Sequence, residues 1–108
     1  MNLSTTSQPP IKRVENNQAN FPKLLSNIYR PIQQLWYRGN LALASQNNLL
    51  AVVGSRQSSW YGQLIISQLL NHNITNQLVI VSGLAVGIDS LAHQASLNSH
   101  NPTIAVLG

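Results

Sequence analysis

The sequence predicts an α/β protein with a parallel sheet, and three segments carry that prediction. Ala51-Val52-Val53-Gly54-Ser55-Arg56 and Ile80-Val81-Ser82-Gly83-Leu84-Ala85-Val86-Gly87-Ile88-Asp89 are each an aliphatic run that stops at a small-residue turn and passes into a helical pattern. Thr103–Leu107 supplies a third apolar strand. Short apolar runs without polar alternation mark strands covered on both faces, as parallel strands are. Together they make a βαβαβ arrangement whose two strand-to-helix turns share one rim of the sheet. Backbone N–H groups and a helix N-terminus face outward at such turns, and both favour an anion, phosphate above all.

Residues 1–20 are rich in Ser, Thr, Gln, Asn and Pro, bury too little to fold alone, and are expected to form a disordered polar arm ahead of one domain over 21–108. Phe21–Ile28 reads as a short helix with Pro22 in its first turn. Arg30-Pro31 ends it, because the residue before proline avoids the α region. Leu35-Trp36-Tyr37-Arg38 is a brief strand stopped by Gly39-Asn40. Leu49–Val53 is the first buried strand. A helix capped by the Ser59 hydroxyl follows to about His72, with Tyr61, Leu64, Ile65 and Leu69 as its inward stripe. Leu78–Val81 is the second buried strand and Ile88–Leu97 the next helix, whose core face is Ile88, Leu91, Ala92 and Ala95. Asn98–Pro102 turns into the strand at Thr103–Leu107. Right-handed crossovers put both helices on one face if the strands add in one direction, and on opposite faces if the order reverses. The sequence leaves that choice open.

A chain of 108 residues is one domain at most. With no cysteine it has no disulfide framework and no thiolate metal site, which suits a reducing compartment. No apolar run approaches the roughly 18 residues of a membrane span, and Met1-Asn2-Leu3-Ser4-Thr5-Thr6 lacks the blocks of a signal peptide; a cytoplasmic protein is expected. The formal charge of +4 is unevenly placed. Five of the six cations, Lys12, Arg13, Lys23, Arg30 and Arg38, precede residue 40, against the one acid Glu15. From Leu41 onward Arg56 and Asp89 alone carry formal charge, so the sheet region is neutral. A chain with two acids is also basic by default, which weakens charge as a sign of a nucleic-acid partner.

Arg56 follows a strand-end glycine and is the lone Lys or Arg of the sheet region, which favours ligand contact over a loop-closing role. Gly83 and Gly87 serve turn geometry as well as any ligand. Asp89 and His93, four residues apart on one helix, invite a triad with Ser55 or Ser82. The simpler reading is that Asp89 complements a helix N-terminus and His93 bonds it from the next turn. Trp36, Tyr37 and Trp60 have the chemistry to stack on bases, although aromatics at strand and helix starts more often pack in the core. His72 and His100 have no partners at metal-ligand spacing, so no metal is expected. Gly54 lacks the further glycines and downstream acid of a dinucleotide fingerprint, and no Gly-Lys-Ser/Thr follows to make a Walker loop.

Six motifs in order, Phe21-Pro22-x-x-Leu25, Leu35-Trp36-Tyr37-Arg38-Gly39-Asn40, Val52-Val53-Gly54-Ser55-Arg56 with Ser59-x-Tyr61-Gly62, Ser82-Gly83-Leu84-Ala85-x-Gly87-Ile88-Asp89, Ala92-His93 and Thr103–Gly108, resemble the DNA-processing protein A family (DprA, also called Smf). The resemblance implies an extended Rossmann-like fold, incomplete in this chain. It further implies binding of single-stranded DNA during natural transformation, dimerisation and loading of the RecA recombinase. No acid or base stands beside an activated nucleophile, so no catalysis is expected, and no cofactor. It implies that Arg56 contacts DNA phosphate, with N–H groups of Gly54-Ser55 and Ser82-Gly83 beside it and Gly87 in the second turn. Val86 departs from the pattern where many relatives carry Lys or Arg. Because the chain stops at Gly108, a truncated, weakly active version lacking the family's dimer surface is expected. The competing reading is an enzyme, a phosphoribohydrolase of the lysine-decarboxylase-like family. Its glycine-triplet turn is not matched by Ser82-Gly83-Leu84.

Overall fold

The computed structural model describes residues 8–108. The chain divides into two compact units, Met1–Ser45 and Gln46–Gly108.

In the first unit, strands β1 (Lys12–Glu15) and β2 (Gln34–Tyr37) pair antiparallel, with Arg13 opposite Trp36 and Val14 opposite Leu35. Side chains alternate across such a ribbon, and Val14 points inward, only 1% exposed, with Phe21 buried in the same unit. Of the polar arm expected over residues 1–20, the first seven residues lie outside the described ones, and Lys12–Glu15 is a strand instead. Lys12–Glu15 gains order by backbone pairing, which Val14 anchors; a count of apolar residues cannot register a partner strand twenty residues on. The helix expected over Phe21–Ile28 is a five-residue 3₁₀ turn, Lys23–Asn27, without a side-chain cap. Uncapped segments this short do not repay helix nucleation and settle as 3₁₀ connectors. A second 3₁₀ turn spans Leu41–Ser45.

The second unit is the parallel sheet. Strands β3 (Leu49–Ala51), β4 (Val79–Ser82) and β5 (Thr103–Ala105) lie in the order β3-β4-β5, all parallel. Addition in one direction settles the open choice: helices α1 (Trp60–Leu69), α2 (His72–Gln77) and α3 (Ile88–Asn98) cover one face and pack on one another. The core lies between them, with Leu70, Ile80 and Ala92 buried and Val52, Ile66, Ile74 and Ala95 packed around them. β5 is shorter than the expected Thr103–Leu107, although the Val106 N–H still donates to the Ser82 carbonyl at 2.8 Å.

Helix α1 starts as the sequence indicates, the Ser59 hydroxyl accepting the Gly62 N–H at 3.0 Å. Its inward face differs from the expected stripe. Tyr61 and Leu69 are 66% and 60% exposed, while Gly62, Ile66 and Leu70 turn toward α3 and the sheet. A glycine holds the first position of the true stripe, so a periodicity drawn from large apolar residues settles on the neighbouring face. Helix α2 was not expected. Asn71 breaks the segment that the sequence reads as one helix: its side chain accepts the Ile74 N–H at 3.2 Å and starts a new helix. Thr75 Oγ1, Ser99 Oγ and His72 Nδ1 then line up at 2.9 and 2.7 Å, joining α2 to the end of α3. His72 is thus a structural link.

The two adjacent leucines test this register. Leu70→Ala is expected to lower stability by about 2–5 kcal/mol and Leu69→Ala by less than about 1 kcal/mol, read from urea denaturation monitored by circular dichroism.

Candidate functional site

The loops after β3 and β4 meet at the start of α3, and Ile88 joins them. Its N–H donates to the Ser55 carbonyl at 3.2 Å. Its side chain fills the space where a Cβ on Gly54 would sit, 2.6 Å from Ile88 Cβ, and its Cδ1 lies 3.3 Å from a Cβ placed on Gly62. Glycine is needed at 54 because Ile88 occupies that position. The preceding Gly87 is doubly constrained: its φ of +86° disfavours any L side chain, and an added Cβ would run into the carbonyl oxygens of Ser55 and Arg56. The two turns therefore form one rigid assembly on the carboxyl rim of the sheet.

The loop after β4 is held from below by α3. The Asp89 carboxylate, buried at 8% exposure, accepts the Gly83 N–H at 3.0 Å. One turn on, His93 Nε2 accepts the Leu84 N–H at 3.2 Å, while Nδ1 meets Thr103 Oγ1 at 2.9 Å. Thr103 Oγ1 itself donates to the Ile80 carbonyl at 2.8 Å, so it accepts from Nδ1–H and His93 is the neutral Nδ1-protonated tautomer. Leu84 adopts φ +61°, the left-handed region, and its bond to His93 helps hold it there. Asp89 and His93 thus bind consecutive backbone N–H groups rather than each other, unlike the expected pairing along the helix. Neither faces a serine as a relay would: the Ser82 hydroxyl is buried and donates to the Val52 carbonyl.

These bonds divide the six residues singled out from the sequence. Gly83 gives its N–H to Asp89 and Ser82 its hydroxyl to Val52, so that turn does not present the donors that its sequence suggests. Gly87 is the hinge that lets the two loops touch. The loop after β3 is different. Among the described residues, the N–H groups of Gly54, Ser55 and Arg56 meet no acceptor, and Ser55 Oγ accepts the Gln57 N–H at 3.0 Å to bend the chain. Arg56 is exposed and its guanidinium has no partner among the described residues. With Asp89 buried against Gly83, Arg56 is the formal charge that this unit presents to solvent. The loop leads into the N-terminus of α1, whose dipole adds to the positive potential. An exposed guanidinium beside unengaged N–H groups is the donor set that binds a phosphate oxygen.

The sequence motifs did not reveal Leu84's left-handed backbone or the contact of Ile88 with Gly54 and Gly62. The glycine at 62, small where the helical stripe called for bulk, was the available signal. Val86 is 66% exposed and adds no charge to the rim. Trp36 and Trp60, expected to lean toward the core, stand 61% and 76% exposed. Among the described residues no group of three or more His, Asp or Glu could hold a metal ion, and no helix is long and apolar enough to cross a membrane.

A model of the family described as DNA recombination-mediator protein A matches residues 12–108. The chain is 31% identical over 105 residues to the DNA processing protein DprA of Bacillus subtilis, covering 97% of this chain and 35% of that relative. It is 46% identical over 88 residues to DprA of Streptococcus pneumoniae (82% and 30% covered). Against the protein Smf of Escherichia coli it is 42% identical over 87 residues (81% and 23% covered). The X-ray structure of the Streptococcus pneumoniae protein superposes with a TM-score of 0.81 at 40% identity, over 90% of this chain and 34% of that one. The chain therefore spans about a third or less of these relatives, and its fold is theirs over that span.

Removing the Asp89 carboxylate should leave the half-buried Gly83 N–H without an acceptor. Asp89→Ala is expected to cost about 1–3 kcal/mol, and Gly87→Ala, which strains both loops, at least about 1 kcal/mol. Urea midpoints of the two variants beside the parent chain measure both.

Proposed function

The chain belongs to the DNA recombination-mediator protein A family, and on that premise we propose that it binds single-stranded DNA through the loop after β3. The observation that carries this reading is the exposed, unpaired Arg56 on a loop whose Gly54, Ser55 and Arg56 N–H groups are unengaged among the described residues. A phosphodiester offers anionic oxygens to such a donor set, and the loop has no acid or base poised to cleave one. Ser82, Gly83 and Gly87 serve as the frame that holds the loop. Asp89 and His93, bound to backbone, support a non-catalytic role and disfavour the phosphoribohydrolase reading.

DNA processing in natural transformation and recombination, carried out in the cytoplasm, is part of the same proposal. The names of the relatives support it, and the family resemblance adds recruitment of RecA and dimerisation.

One cation on the loop makes a sharp test. Arg56→Ala is expected to weaken binding of a fluorescein-labelled oligo-dT by about tenfold and to lower the slope of log K against log salt by about one. The thermal melt should not change, since the side chain lies outside the core. Fluorescence anisotropy across a salt series measures all of this; unaltered affinity and slope would refute the assignment. Incubation with nucleoside monophosphates should give no turnover.

A further inference from the structure

We propose that the β1–β2 ribbon of the first unit is a second single-stranded DNA surface, on which Trp36 stacks an unpaired base between the phosphate contacts of Arg13 and Arg38. It takes the same ligand as the reading above but uses different residues, in the other unit, and does not depend on Arg56.

Charge is the first observation. The unit Met1–Ser45 holds Lys12, Arg13, Lys23, Arg30 and Arg38 against Glu15 alone, so the chain's whole formal surplus of +4 resides there. Glu15 is itself engaged by Arg13 at 3.4 Å, and both side chains are 49% exposed.

The second observation is the ring. In the antiparallel register Arg13 faces Trp36 across the ribbon, on the side opposite Val14 and Leu35. Val14 faces inward, which leaves Arg13, Trp36, Glu15 and Gln34 on the outer face. The Arg13 guanidinium stands 5.8 Å from the Trp36 ring centroid and donates to Gln34 Oε1 at 3.4 Å. A guanidinium against one side of an indole fixes the ring's attitude without covering it, and 61% of Trp36 remains in solvent. Holding the ring in advance lowers the ordering cost of stacking. Arg38, directly after the strand and exposed, is oriented by Gln8.

An exposed indole flanked by guanidinium groups, on a unit carrying all the net positive charge, combines the two parts of a sequence-tolerant single-strand site: phosphate neutralisation and a flat surface for a base. Paired bases in a duplex would not reach the ring. Chemical complementarity therefore selects unpaired DNA as the occupant.

The test uses the full 108-residue chain with Trp60→Phe, which leaves Trp36 as its one tryptophan. Oligo-dT is expected to quench the Trp36 emission on binding, and an abasic oligomer of equal length to bind without quenching. Trp36→Ala should weaken oligo-dT binding about tenfold and leave abasic binding unchanged, with Trp36→Phe recovering most of the loss and the circular dichroism melt unaltered in both. Arg13→Gln should weaken both oligomers. Binding without quenching, or equal losses on oligo-dT and the abasic strand, overturns the proposal. Either result with Arg56→Ala still impaired leaves the β3-loop reading standing; a Trp36 effect with Arg56→Ala unimpaired does the reverse.

Discussion

Ile88 is the residue on which the functional rim depends. Its amide reaches the Ser55 carbonyl, and its side chain fills the gap between Gly54 and Gly62, so one residue at the start of α3 fixes both the loop after β3 and the first turn of α1. Two glycines follow from that packing: Gly54 because Ile88 takes its side-chain space, and Gly87 because only a left-handed residue can deliver Ile88 to that place, while at Gly62 the tip of the Ile88 side chain comes close without excluding a Cβ. Small residues at such a turn suggest close approach of a ligand to the backbone. Here, at Gly54, the close approach is that of the protein's own isoleucine, and the N–H groups of residues 54–56 meet no acceptor among the described residues.

The same economy governs the ionisable groups. A carboxylate and an imidazole one helical turn apart look like parts of a catalytic relay, yet each is consumed by a backbone N–H of the loop after β4. Buried polar groups are seldom left unpaired, and a loop with a left-handed leucine at its centre needs acceptors to hold it. Once Asp89 and His93 meet that need, Arg56 is the remaining charge on the rim. On the proposed reading, the rim so defined holds an anion rather than cleaving it.

Much of this was legible in the sequence. The parallel strands at 49, 79 and 103 and the Ser59 cap followed from apolar runs and capping chemistry, because each is a local property of a few residues; of the expected α3 face only Ala92 is fully buried, beside the polar Asp89, His93 and Ser96, which bind backbone or pack where apolar periodicity gives no sign of them. The strand at Lys12–Glu15 was not legible, since its order comes from a partner strand distant in sequence. The inward face of α1 was misplaced for a related reason: its key position is Gly62, whose fit depends on a side chain twenty-six residues away. Of the site, Arg56 and the Gly54-Ser55 turn could be named from the sequence. Which of the two turns had free donors could not, because Asp89, His93 and Val52 compete for them only once the chain is folded.

The central claim is that the loop after β3 supplies the free donors and the loop after β4 is already spent. Backbone amide shifts in a ¹⁵N-labelled chain, followed by NMR during titration with oligo-dT, test it most directly. Large shifts are expected at Gly54, Ser55 and Arg56 with the amides of Gly83 and Leu84 nearly still. Movement at Gly83 and Leu84 while residues 54–56 stay silent would contradict it.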